Sequence, residues 1–231
     1  MKKMWILLLA LLLLCGCQRQ ENVEPTPPTV AVQTVPEETT LSEIIQSAPP
    51  ASDDTFVRVL DYIPTAFQEI RYATEDNFTG TVIYDFEDAY LRWGTVKKLQ
   101  LVCADLEELG FYIKIWDGFR PVSAQFALWE ACPDPTYVAD PNKGYSSHSR
   151  GNTIDLTLVD ENGAEVEMPT DFDDFSLKAD RDYADCTQIA ANNAQILEIL
   201  MEKHGFQGYS GEWWHYSDST AYPVESVFEP N

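Results

Sequence analysis

The sequence predicts an α+β fold in which helices pack on a mainly antiparallel central sheet. Three observations lead there. Ala89–Gly110 and Gln188–Gly205 repeat apolar residues at helical spacing, and each stretch ends on glycine. FYIKIWD, NTIDLTLVD and EWWHYS are short runs with the character of strands. The two kinds of segment do not follow one another in the regular alternation of doubly wound folds.

The elements are read in order. FVRVLDYI, from Phe56 to Ile63, reads as a strand. In the first helix Val96, Leu99, Val102, Cys103, Leu106 and Leu109 form the apolar face, with Gly110 as the stop. FYIKIWDGFRP alternates as a strand and ends at Gly118 and Pro121. PVSAQFALWEAC reads as a second helix opened by Pro121, and a Pro/Asp/Gly/Ser-rich loop follows from Cys132 to Ser147. NTIDLTLVD is a strand closed by the turn signal ENG. Gln188–Gly205 is the third helix, and EWWHYS the last short strand.

Residues ahead of this domain have another character. Lys2 and Lys3 precede an apolar run from Trp5 to Leu14, and LCGC closes it at Cys17. That is a secretory signal. The small Gly before a Cys, with Leu three positions ahead, resembles a bacterial lipobox, so residues 1–17 are read as a signal peptide whose Cys17 becomes the lipidated first residue. An ordinary cleaved signal is the alternative; a permanent span is disfavoured because the run is too short for a bilayer. Residues 18–54 are rich in Pro, Thr and Glu and are expected to be a disordered tether, and 55–231 the folded domain. The formal charge of −23 argues against a nucleic-acid partner, whose phosphates it would repel. Cys103, Cys132 and Cys186 lack metal-site spacing; Cys103 reads as core, and the exported compartment permits a disulfide between two of the three without the sequence selecting the pair.

Two stretches carry chemistry. In SSHSRGNTIDLTL, Asp155 sits within an apolar strand, on the side of Thr153 and Thr157. A carboxylate there is costly unless it is paired, hydrogen-bonded or bound to a metal. Gly151 allows the chain to turn between His148 and that strand. Taken alone, Asp155 as a loop cap and His148 as an exposed side chain is the simpler reading. GEWWHYS changes the balance: Glu212 and His215 are three apart, so a bulge or local twist is needed to bring them together. His148, Asp155 and His215 have the composition of a catalytic zinc site with one open position. Glu212 stays free to act as proton carrier. Arg120, after a strand and a Gly turn in WDGFRP, can hold a carboxylate or an oxyanion, the alternative being a surface salt bridge. His204, the third histidine, reads as a helix C-terminal dipole partner.

Together RYATEDNFTG, WDGFRP, SSHSRGNTIDLTL and GEWWHYS resemble, in order, the VanX-like zinc peptidases, the D-alanyl-D-alanine dipeptidases of the vancomycin-resistance type. The resemblance runs from about Phe56 to the C-terminus. It implies the D-Ala-D-Ala metallopeptidase (hedgehog/DD-peptidase-like) fold, one Zn2+ on His148, Asp155 and His215, Glu212 as catalytic base and Arg120 as transition-state stabiliser. It places Ser146 and Asp173 at the substrate, Asp173 on the free amino group, with Asp174 as an alternative because the match is loose there. The implied activity is hydrolysis of D-Ala-D-Ala or a related D,D-dipeptide. The rivals are a D,D-carboxypeptidase that trims muropeptide stems and a non-catalytic wall-binding lipoprotein. Pro133–Gly144, expected at the pocket mouth, is shorter than in the resistance enzymes. A lipid-anchored enzyme on the outer face of a bacterial membrane suits wall turnover or scavenging; no protein partner is predicted.

Overall fold

The computed structural model of the chain describes residues 48–230. The export segment, Cys17 and the tether up to residue 47 lie outside the described residues. Among the described residues there are seven strands: β1 Phe56–Arg58, β2 Phe67–Gln68, β3 Tyr90–Arg92, β4 Tyr112–Asp117, β5 Thr153–Val159, β6 Phe206–Tyr209 and β7 Glu212–Asp218. Three α-helices join them: α1 Trp93–Glu107, α2 Val122–Ala131 and α3 Gln188–Lys203. The main sheet has the order β2-β4-β5-β7-β6, in which β2 runs parallel to β4 and the other neighbours are antiparallel. β1 and β3 form a separate antiparallel pair. This is the α+β architecture expected, with β5 in the middle and buried along its whole length.

α1 buries Val96, Leu99, Val102, Cys103 and Leu106, the face that the sequence spacing outlines. Its start and end differ from the reading. Tyr90–Arg92, taken as helix, form β3 because they pair with β1. Leu109 lies beyond the last turn and is 57% exposed. Gly110, at φ 80°, takes the left-handed conformation that stops the helix. FVRVLDYI is a strand only over β1; a 3-10 turn over Val59–Asp61 then leads away. β2 has two residues and β6 includes Gly208, so neither carries enough alternation to be read. Asp53 and Asp54 already touch the domain: the Asp53 carbonyl accepts from Gly94 N at 3.1 Å and the Asp54 carbonyl from Arg92 Nη1 at 2.6 Å.

His204 caps α3 and pairs through Nε2 with Asp105 of α1, where Lys203 also binds. It ties two helices together. Cys103, Cys132 and Cys186 are all free, and burial pushes the Cys103 thiol up to about 12.

The hairpin of β6 and β7 is where the fold prepares the site. Gly208 pairs with Tyr216 and Tyr209 with Glu212, so Trp213, Trp214 and His215 have no partners on β6. This bulge leaves carbonyls to be satisfied, and Arg181 does so. Its Nη2 donates to the Trp213 carbonyl at 3.1 Å and the His215 carbonyl at 3.0 Å, and its Nε donates to the Tyr209 carbonyl at 2.8 Å. The guanidinium also lies over the Tyr216 ring at 4.3 Å. A Cβ at position 208 would stand 2.3 Å from Arg181 Cζ, so any other residue there would push the guanidinium out of this position. Removing a charged donor from two part-buried carbonyls and one exposed carbonyl costs about 2 kcal/mol. Arg181→Met is therefore expected to lower unfolding stability in urea by that amount, and a change under about 0.5 kcal/mol, the size of an ordinary surface substitution, would contradict the clamp.

Candidate active site

The site is built on one row across three strands. β4 and β5 place Asp117 opposite Asp155, and β5 and β7 place Asp155 opposite His215. A register shift in β4 between Ile115 and Asp117 brings the first of these into line. His148 enters from a 3-10 turn over Ser147–Arg150 that precedes β5. The Ser146 hydroxyl caps that turn by accepting from His148 N at 3.3 Å. Gly151 ends it in the left-handed conformation at φ 72°, and a Cβ there would stand 2.3 Å from the Phe56 ring.

The three expected ligands converge. His148, Asp155 and His215 each offer one atom, and these atoms lie within 4.8 Å of one another. His148 Nε2 is 3.3 Å from His215 Nδ1 and 3.3 Å from Asp155 Oδ2, and His215 Nδ1 is 3.0 Å from Asp155 Oδ1. Bonds of about 2.0–2.1 Å to a tetrahedral zinc ion would set ligand separations of roughly 3.3–3.4 Å, so the spacing fits. The chemistry of the donors fits as well. The His148 Nδ1–H donates to the Gly118 carbonyl at 2.8 Å, which leaves the Nε2 lone pair facing the cluster. Asp155 Oδ1 is buried and makes no hydrogen bond, although His215 Nδ1 is close. An orphaned carboxylate oxygen 3.0 Å from one imidazole nitrogen, with the second imidazole nitrogen 3.3 Å from the other oxygen of the same carboxylate, is what a shared cation would satisfy.

The remaining expected residues line the same cleft, whose volume is about 300 Å³. Glu212 Oε2 lies 3.5 Å from His215 Nδ1, brought there by the β7 bulge. Arg120 is buried, and its Nη2 is 4.0 Å from Asp155 Oδ2; this is not a surface salt bridge. Ser146 and Asp173 border the cleft too. Asp173 adopts φ 56°, unusual for a non-glycine residue, and its Oδ2 accepts from the Tyr72 hydroxyl at 3.0 Å. Asp174 is not part of the lining; its Oδ1 accepts from Ser176 N at 2.8 Å. The segment over 135–139 contributes to the lining, with Tyr137 stacked on Phe175 at 4.6 Å.

The charges follow from this packing. Burial pushes Asp155 upward, but the His148 and His215 rings outweigh it and hold the carboxyl well below the usual range. Burial pushes Glu212 up to about 7, with His215 opposing and Asp155 adding to the rise. Burial also pushes Asp173 up to about 7, against the Tyr72 hydrogen bond. A cation seated among these acids would draw them down again.

Three participants were not singled out from the sequence. Asp117, fully buried, accepts from Arg120 Nε at 3.1 Å and Nη2 at 2.7 Å. Gln125 Oε1 accepts from Arg120 Nη1 at 3.0 Å, and Tyr72 lies under the guanidinium at 5.1 Å. Asp117 was legible: it continues the alternation of Ile113 and Ile115 onto a buried face, the same signal that marks Asp155. Gln125 and Tyr72 had no such signal.

The family model described as D-ala-D-ala dipeptidase matches residues 52–229. A D-alanyl-D-alanine dipeptidase of Escherichia coli is 37% identical over 158 residues, which cover 68% of this chain and 81% of that protein. One of Enterococcus faecalis is 36% identical over 168 residues, 64% of this chain and 83% of that protein. One of Streptomyces coelicolor is 33% identical over 174 residues, 64% and 84% of the two chains.

The ligand geometry predicts about one zinc ion per chain. With the ion at 100 times its dissociation constant, the stabilisation of about 2.7 kcal/mol corresponds to roughly 5–10 °C in Tm. Chelation should remove that increment, and His215→Ala should abolish it without further loss on chelation. A Tm indifferent to chelator, with substoichiometric metal by elemental analysis, would contradict the site.

Proposed function

Because the chain belongs to the D-ala-D-ala dipeptidase family, we propose that it hydrolyses D-alanyl-D-alanine or a closely related D,D-dipeptide as a zinc peptidase. The observation that carries this reading is the convergence of His148, Asp155 and His215 with Glu212 left beside them, outside the ligand set. Zinc bound there would polarise the peptide carbonyl and lower the pKa of water to about 7. Glu212 takes a proton from the attacking water and hands it to the departing amine; its place 3.5 Å from His215 supports this. Arg120 offers N–H groups to the negative charge that grows on the carbonyl oxygen. Asp173, on the cleft wall, pairs with the free ammonium of the dipeptide. Ser146 holds the His148 turn and borders the same cleft. Charge recognition of the amino end favours a short zwitterion over a long peptide.

The test is a substrate panel with purified chain and added zinc. D-Ala-D-Ala should be cleaved, while its L,L isomer and its N-acetyl derivative should not. Glu212→Gln should keep its metal and lose about 10³-fold in kcat, within the range of general acid–base catalysis. Cleavage of a muropeptide pentapeptide stem in preference to the free dipeptide would favour a D,D-carboxypeptidase, and unchanged turnover in Glu212→Gln would end its role as base.

We further propose that Cys17 carries a lipid that anchors the domain to the outer face of the bacterial membrane. The apolar run from Trp5 to Leu14 and the LCGC that follows support it. Anchored there, the enzyme meets dipeptides released from the wall, which suits turnover or scavenging. Cys17→Ser should move the protein out of the membrane fraction and abolish incorporation of labelled palmitate; membrane retention without the cysteine would refute the anchor.

A further inference from the structure

Asp117 has no part in the ligand set or in the proton transfer, yet its carboxylate is the most completely engaged acid beside the cleft. Its Oδ1 accepts from the Tyr84 hydroxyl at 2.8 Å and from Gly118 N at 2.9 Å. Its Oδ2 accepts from both Nε and Nη2 of Arg120, at 3.1 and 2.7 Å. The carboxylate therefore cannot turn. A guanidinium has five N–H groups in a rigid fork. Asp117 takes one from Nε and one from Nη2, and Gln125 takes one from Nη1. One N–H remains on each terminal nitrogen, and Nη2 is the atom that lies 4.0 Å from Asp155 Oδ2, beside the metal ligands. The Tyr72 ring fixes the plane from below at 5.1 Å.

A pair placed here only for stability would be a poor device, because a buried salt bridge gains little over apolar packing. A transition-state donor, by contrast, gains from being held in place before the charge appears. We infer that Asp117 is a positioning residue for the reaction: through its two-point hold on Arg120 it aims the remaining N–H groups at the oxygen that becomes negative. The same Asp117–Gly118 turn presents the carbonyl that orients His148, so one short segment of β4 and its exit sets both. This inference rests on the proposed hydrolysis of a D,D-dipeptide.

The experiment is a double-mutant cycle on the full chain loaded with zinc, with metal content and circular dichroism measured for each protein. Asp117→Asn keeps the shape but loses the charge and an acceptor for Arg120. It should lower kcat about 10²-fold, as loss of one aligned oxyanion donor does, with KM changed less than about threefold. Arg120→Ala should be equally slow or slower, and the double variant no slower than Arg120→Ala within about threefold, because residues acting as a unit are not additive. Added guanidinium should raise the rate of Arg120→Ala and leave the double variant unmoved. Affinity for a phosphinate analogue of the dipeptide, read by calorimetry, should fall with kcat in Asp117→Asn while zinc content stays at one. Should Asp117→Asn fail to fold, Tyr84→Phe removes one of the bonds that hold the carboxylate; it should slow the wild-type background and add nothing to Arg120→Ala. Failure of the unaltered chain to cleave the dipeptide overturns the proposed function itself. Cleavage together with additive losses, or with equal guanidinium rescue in the presence and absence of Asp117, overturns the positioning role alone.

Discussion

A carboxylate on a fully buried central strand is the constraint around which this domain is arranged. Asp155 is 3% exposed and flanked along β5 by Ile154 and Leu156, both fully buried. Left alone there, an ionised acid would cost several kcal/mol. The protein answers with two imidazoles on either side and with a guanidinium 4.0 Å off. Each of those partners must in turn be delivered by a different element, and the irregular parts of the fold are what deliver them.

Both irregularities in the main sheet serve that delivery. The shift in β4 brings Asp117 into the row of Asp155 and His215 and lets the chain turn at Gly118 toward Arg120. The larger bulge in β7 allows Glu212 and His215, three apart, to approach each other at 3.5 Å. A regular strand would have sent them to opposite faces. The bulge is held open by Arg181, whose donors replace the missing partners on β6. Bulges beside active sites re-aim side chains in this way.

The charge balance follows the same plan. Asp117 and Arg120 neutralise each other inside the protein, so Asp155 is the acid left for a bound cation, beside the two imidazoles. Glu212 and Asp173 border the cleft outside the cluster of His148, Asp155 and His215. Trp214 and Tyr72, both buried, line the cleft and limit water around these charges. In such surroundings each electrostatic contact is stronger than it would be in solvent.

Much of this was legible residue by residue. The apolar spacing of Val96, Leu99, Val102 and Leu106 defines α1, and Asp155 in an apolar strand, with Glu212 and His215 flanking two tryptophans, picks out the candidate site residues. Such signals are local: they depend on period, on cost of burial and on residue type. The two-residue β2, the strand β6 with its glycine, the start of α1 after β3 and the exposure of Leu109 were not legible, because pairing partners far along the chain decide them. Likewise the sequence by itself determined which side chains are able to bind a metal and move a proton, since those capacities belong to the residues. Only the tertiary structure decided that Asp117 grips Arg120, that Arg181 props the bulge and that Asp173, not Asp174, faces the cleft. Those outcomes depend on strand register and on a few ångströms between distant segments, and no local pattern encodes either.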